Sequence, residues 1–283
     1  MAHTIEEIEK KLEENIPSLS PTASKVMKLA NDINCPPSEL TQVIKMDPVL
    51  SAKVLKLVNS SYFALSNKIV SLEKAIILLG LNTIKNLALG AAALTQMETE
   101  ETSPAFDHNG FWQHSLAVGT ASKLIAQKRN VDKKIIEDYF IAGLLHDLGL
   151  AVESKIFHDE IERVILTATE VGIIDAEDII FEGLNHCKIG EILGRKWSLS
   201  DDLLSVILNH HSPSGNNLTE LTCTVYVSNI ICKNNSLGLV LDKTPIEIDT
   251  QVLSTLGIDA SIESSILEGL EGEIQKAKEF LKA

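Results

Sequence analysis

Apolar residues recur at three- and four-residue spacing along almost the whole chain, and no stretch shows the apolar-polar alternation of a half-buried strand. A chain patterned this way can bury its stripes only by packing helix on helix, so an all-α fold is expected. Start signals recur with the spacing. Thr4 with Glu7 reads as a capping box, Ser20-Pro21 and Asp47-Pro48 place a capping side chain before a proline in the first turn, and Gly80 then Asn82 marks a stop and a restart. Aromatic residues are only 4% of the sequence, which leaves Leu, Ile, Val and Ala to build the core and again suits helix packing.

These signals predict helices near 4–14, 21–33, 38–46, 48–60, 72–79 and 82–97, followed by a break over 98–109, where Thr102, Ser103, Pro104 and Gly110 interrupt the pattern. A second series is expected near 111–128, 132–147, 153–171, 176–195, 201–211 and 219–233. The tail holds a short helix near 249–256 and an amphipathic one from Ser261, with Ile262, Ile266, Leu270, Ile274 and Ala277 on a stripe that must pack on the rest of the chain. We therefore divide the 283 residues into an N-terminal helical part (1–105), a helical core (106–237) and a C-terminal helical extension (238–283). At this length one large domain and two smaller ones are both open.

A formal net charge of −14 repels phosphate backbones and anionic lipids, so nucleic acid is not an expected partner. Cys35, Cys187, Cys223 and Cys232 are scattered without a CxxC pair, which indicates neither a disulfide framework nor a zinc ribbon and fits a reducing cytoplasm. The N-terminus MAHTIEEIEKKLEE has no apolar signal region, and the longest uncharged apolar stretches, Asn86 to Met97 and Leu221 to Cys232, are too short to span a bilayer. Neither secretion nor a membrane span is expected.

Six of the eight histidines fall between residues 114 and 211. His114 follows Phe111 and Trp112, His146-Asp147 ends the run FIAGLLHDLG, His186 lies in NHCKIGEILG, and His210-His211 closes ILNHHSP. A lone histidine in such surroundings is more often a hydrogen-bonded core residue than a ligand. Several helix ends offering His and Asp to one centre make a plausible cradle for Fe, Mn, Ni, Co or Zn, because imidazole and carboxylate suit those ions and helices hold the geometry. The carboxylate of a His-Asp pair can also bridge two ions, so both mono- and dinuclear sites are open. Such a site activates water and neutralises a phosphoryl oxygen, which suits phosphate-ester hydrolysis. No organic cofactor is indicated. Phe111, Trp112 and Trp197 read as core anchors, Asn59, Ser60 and Ser61 as a cap and turn, and Asp47 as a cap; Glu182, one helical turn before His186, is either a carboxylate orienting that ring or an exposed acid.

The order His, His-Asp, His, His-His resembles the HD superfamily of metal-dependent phosphohydrolases, and specifically its HDOD branch. IPSLSPTASKVMKLAND, SELTQVIKMDPVLSAKVLKLVNSSYF, SLEKAIILLGLNTIKNLAL, LLHDLG and NHCKIGEILGRKWSLSDDLLSVILNHH carry the resemblance, over about residues 15–233. It implies a two-part multi-helical fold around an HD-type core and a bacterial signalling role, with a protein partner supplied in trans since no receiver, kinase or output segment is legible. It also implies the ligands. His114, His146 and Asp147 match the residues that hold one metal in catalytic relatives, with Asn229 where a final Asp stands; His186, His210 and His211 match the histidines that hold a second metal in the HD-GYP phosphodiesterases. Leu150 replaces the lysine typical after HDxG, and SPSGNN replaces the GYP signature. The expectation is a partial metal site in a weakly catalytic or non-catalytic module, with hydrolysis of a nucleotide or cyclic dinucleotide as the alternative.

Overall fold

The structure, a computed structural model, describes residues 5–30, 32, 35–97, 103–242 and 244–282. Every regular element among them is helical. Thr4 of the expected capping box, the predicted end of the second helix at 33, and residues 98–102 of the expected break lie outside the described residues.

The first part comprises α1 (Ile5–Asn15), α2 (Pro21–Ala30), α3 (Pro37–Lys45), α4 (Pro48–Val58), α5 (Leu72–Leu79) and α6 (Leu81–Met97). Local chemistry fixes their ends. Asp47 accepts a hydrogen bond from the Leu50 amide at 2.9 Å, with Pro48 in the first turn, and Ser20 does the same for Ala23 at 3.1 Å. Asn59 closes α4 by donating to the carbonyls of Leu55 and Ile69 while accepting from the Ile69 amide, which pins the following loop. The long apolar α6 packs on α2 and α4 on one side and on the second part on the other.

That second part comprises α7 (His108–Lys128), α8 (Ile136–Leu145), α9 (Leu148–Ile156), α10 (His158–Val171), α11 (Ile173–Ile180), α12 (His186–Lys196), α13 (Asp201–Asn209) and α14 (Glu220–Asn234). One apolar core runs from Ile8 and Leu12 of α1 through Leu57 of α4 and Leu87 of α6 to Phe140 and Leu144 of α8 and Leu193 of α12. A second cluster joins α7 and α14 to the tail helices α15 (Thr250–Leu256) and α16 (Ile262–Ala277). Ile262, Ile266, Leu270 and Ala277 are buried and α16 lies along α7, so the amphipathic stripe packs where the sequence requires.

Two predicted helices are each broken in two, and a third is shorter than expected. The segment expected at 132–147 begins only at Ile136 and stops at Leu145, with His146 and Asp147 in the junction before α9. The one expected at 153–171 splits at Phe157. The one expected at 176–195 is broken by a turn over 181–185 in which Glu182 and Gly183 have φ of +53° and +91°. α9 is buried all round, so its apolar content carries no periodicity from which the break at Phe157 can be read. Phe111 and Trp197 are core anchors as expected. Trp112 is only half-buried, because one residue on from Phe111 turns it about 100° around the helix.

Gly149 of the HDLG run lets α9 meet α12. A Cβ there would lie 1.8 Å from the His186 carbonyl oxygen, so any side chain forces the starts of the two helices apart. We expect Gly149→Ala to destabilise the fold by about 3 kcal/mol, as overpacking does, measured as a lowered urea midpoint.

Candidate metal centre

Five segments converge on one buried point. His114 sits in the second turn of α7, His146 and Asp147 fill the α8–α9 junction, His186 opens α12 behind its cap Asn185, His210 and His211 follow the last turn of α13, and Asn229 projects from α14. His146 and His210 are wholly buried, with His186, His114, Asp147 and Asn229 nearly so. The two oxygens of Asp147 face different partners. Oδ2 lies 3.1 Å from His146 Nε2 and 4.0 Å from His114 Nε2, while Oδ1 lies 3.0 Å from His210 Nε2 and 3.4 Å from His186 Nε2. Asn229 Oδ1 is 3.0 Å from His114 Nε2, and His211 joins the group through Nε2, 3.1 Å from that of His186. All seven residues singled out in the sequence are thus brought together.

The far sides of these rings are also occupied by acceptors. His114 Nδ1 meets the Leu237 carbonyl at 3.1 Å, His146 Nδ1 that of Gly143 at 2.7 Å, and His210 Nδ1 that of Ile207 at 3.0 Å. His186 Nδ1 faces the Glu177 carboxylate, at 2.7 Å from Oε2. Four rings therefore have oxygen at both nitrogens, while a neutral imidazole has one proton to give. Burial pushes His114 down and His210 down to about 4, so those rings stay neutral at pH 7. In His186 burial acts downward but is outweighed by Cys187 and Glu177, which hold it well above its ordinary value. Burial alone would raise Asp147, yet His146 and His210 hold it well below the usual carboxylate range.

In the neutral rings of His114 and His210 the Nδ1 proton is committed outward to a backbone carbonyl, so the Nε2 lone pair points inward, at Asn229 in one case and at the Asp147 carboxylate in the other. Buried His146 Nε2 and Asp147 Oδ1 make no hydrogen bond among the described residues. This arrangement repels itself unless a cation sits in it, and outward Nδ1 bonds to carbonyl or carboxylate are the usual support of histidine ligands. The donor set, imidazole nitrogen with carboxylate and amide oxygen, fits a divalent transition metal. Two groups have donor atoms within 4.8 Å of one another: His114, His146 and Asp147, and His186, Cys187, His210 and His211.

Three contributors escaped the sequence reading. Glu177, not Glu182, holds His186; Glu182 is exposed in the αL turn that separates α11 from α12, so it is not one helical turn from His186. The signal was there, since Ile173, Glu177 and Ile180 share one helical stripe, and an acid on such a stripe is a buried acid. Glu153 is likewise wholly buried beside Glu177, and burial, reinforced by Glu177, pushes its carboxyl well above the usual range. Cys187 places its sulfur 3.5 Å from His186 Nε2.

A cavity of about 230 Å³ opens over the cluster, floored by His114, Asp147, His186, His211 and Asn229. Leu150, Val171, Ile173 and Ile174 form one wall, and Leu239, Val240 and Leu241 the other. Gly238 makes the second wall possible. Its φ is +83°, and a Cβ would lie 2.3 Å from the His114 amide nitrogen, so only glycine lets the segment press on α7, where the Leu239 amide donates to the Gly110 carbonyl at 2.8 Å.

Among the described residues no helix is long and apolar enough to cross a membrane. Comparison with known proteins agrees with the fold. An uncharacterized protein of Treponema pallidum is 25% identical over 202 residues, which are 70% of this chain but only 38% of that protein, so the chain spans well under half of its relative. An HDOD domain protein with unknown function from Geobacter sulfurreducens shares the fold with a TM-score of 0.78 at 23% identity, over 96% of this chain and 97% of that one. A protein provisionally named for signal transduction, from Marinobacter aquaeolei, does so with a TM-score of 0.73 at 19% identity, over 99% of this chain and 62% of that one. The HDOD domain model matches residues 16–213, a stretch that holds His114, His146, Asp147, His186, His210 and His211 and stops short of Asn229. Since that match takes in more than half of the sequence, the chain belongs to the HDOD domain family.

Proposed function

We propose that this chain is a cytoplasmic regulatory module of bacterial signal transduction that acts through a protein partner supplied in trans, its histidine cluster holding a divalent transition metal for structure or sensing. The observation that carries the metal reading is the surplus of oxygen around the four rings, which a cation relieves. His114, His146, Asp147 and Asn229 would hold one ion, and His186, His210 and His211 with Asp147 a second. A bound ion supplies Lewis acidity and acidifies coordinated water. The surroundings argue against efficient phosphate-ester cleavage. Leu150 presents a hydrocarbon wall, Asn229 contributes no negative charge, and Lys233, the one cation lining the cavity among the described residues, is paired with Asp242 at 2.8 Å. The name of the Marinobacter protein supports the signalling role.

The second reading, a metal-dependent phosphohydrolase of a nucleotide or cyclic dinucleotide, is favoured by one observation: Asp147 turns an oxygen to each histidine group, the disposition of a carboxylate that bridges two ions. A hydrolysis assay with Mn or Fe separates the two. The regulatory reading expects turnover far below the usual enzyme range of about 1–1,000 per second, and ordinary enzyme rates would replace it with the second.

Elemental analysis of protein purified without chelator should find at least one transition-metal ion per chain, and His186→Ala should lower that content. Metal-free wild-type and His186→Ala proteins that both refuse reloading would remove the metal reading. Asn229→Asp adds the missing charge and should tighten binding of the same ion at least tenfold by competition titration. Removal of Glu177 leaves His186 without its outward partner, and Glu177→Ala should weaken metal binding about 10- to 100-fold.

The metal-free protein should also lose stability in acid. The His210 ring falls from its ordinary 6.5 to about 4 on folding, so between these values the unfolded chain binds the proton first. Its contribution, about 3 kcal/mol, is complete above pH 6.5 and is lost progressively as the pH falls to 4, with His114 and His211 shifted the same way. His186 has the opposite slope, its raised value making its share complete below pH 6.5 and lost at higher pH. Urea midpoints measured across this range check the net fall.

A further inference from the structure

We propose that the cavity over the histidine cluster is a binding site for a compact aliphatic monocarboxylate, of about six to seven carbons, with its head toward the imidazoles and its chain between the two hydrocarbon walls. The head's anchor rests on the metal reading above; the walls do not.

Size comes first. A cavity of about 150 Å³ lined by hydrocarbon takes benzene, six heavy atoms, so at the same filling the 230 Å³ here takes about nine. A seven-carbon acid has that many, and a cyclic dinucleotide several times more. Chemistry comes second. The walls offer Leu150, Ile173 and Ile174 from one side and Val240 and Leu241 from the other, with no guanidinium among the lining residues to fork onto a phosphate. Burying a phosphate dianion against such walls leaves its oxygens without donors, which is costly. Polarity is concentrated on the floor, where a cation held by the cluster would accept one carboxylate head. Asp175, Asp242 and Lys233 also line the cavity; Lys233 and Asp242 neutralise each other at 2.8 Å, and Asp175 disfavours any anionic group that does not reach the floor. The second wall, 239–241, lies beyond the residues matched by the family model, so the shape of this pocket is set partly by this chain's own tail.

The test is calorimetric titration of metal-loaded protein with straight-chain carboxylates from propionate to dodecanoate, and with hexanol, inorganic phosphate and AMP. Affinity should rise about fourfold per methylene, the change expected from about 0.8 kcal/mol per buried group, and level off near seven carbons. Heptanoate should outbind hexanol, phosphate and AMP. Val240→Asp should weaken heptanoate at least tenfold while leaving metal content unchanged, and Val171→Asp, at a position 45% exposed where the fold tolerates a charge, should weaken it too. Absence of saturable binding by any acid, tighter binding of AMP or phosphate, no dependence on chain length, or indifference to both variants overturns the proposal. If no metal can be loaded yet heptanoate still binds with the same length dependence and sensitivity to Val240→Asp, the metal reading fails and the pocket assignment stands. If metal loads and heptanoate does not bind, the reverse holds.

Discussion

Asp147 is the charge around which the centre is built. It is almost wholly buried, and four imidazole nitrogens from four different places in the chain lie within 4.0 Å of its oxygens. An ionised carboxylate in such surroundings is tolerable only if positive charge or hydrogen-bond donation meets it, and the neutral rings of His114 and His210 have their Nδ1 proton committed to a backbone carbonyl. The α8–α9 junction, the cap Asn185 ahead of His186 and the end of α13 are all placed so as to bring nitrogen to this one group. The close contact at Gly149 serves the same end, since it fixes the start of α12 against the residue pair that carries the charge.

The histidines and Asp147 were legible because chemistry-bearing residues stood in apolar runs, where a polar side chain has to be explained. The all-helical class was legible from spacing alone. The end of a helix at the His146-Asp147 pair was legible too, but the breaks at 157 and over 181–185 were not: α9 is surrounded by protein and has no polar face whose phase could slip at its end, and the other break turns on the positive φ of Glu182 and Gly183. Glu177 was missed for a related reason: distance along the chain suggested Glu182, and only the positive φ at 182 and 183 shows that chain distance and helical distance part company there. The Leu237 carbonyl against His114 was out of reach as well, since backbone partners leave no mark in side-chain identity.

The tail is part of the centre's architecture. Residues 237–241 leave α14, supply a carbonyl to His114, bond to Gly110 and wall the cavity, while α16 lies along α7, the helix that carries His114. One side of the pocket therefore comes from the stretch matched by the family model and the other from outside it. The floor and the wall can differ independently in what they accept.

α12 begins with His186 and is followed directly by Trp197, whose indole nitrogen donates to the Pro17 carbonyl at 2.9 Å, and Lys196 reaches the carbonyl of Ile16 at 2.9 Å. Eleven helical residues, about 16 Å of rod, thus run from the imidazole cluster to the loop between α1 and α2. One continuous helix therefore joins the imidazole cluster at its first residue to the N-terminal loop at its last turn, so the loop and the cluster share a single rigid support.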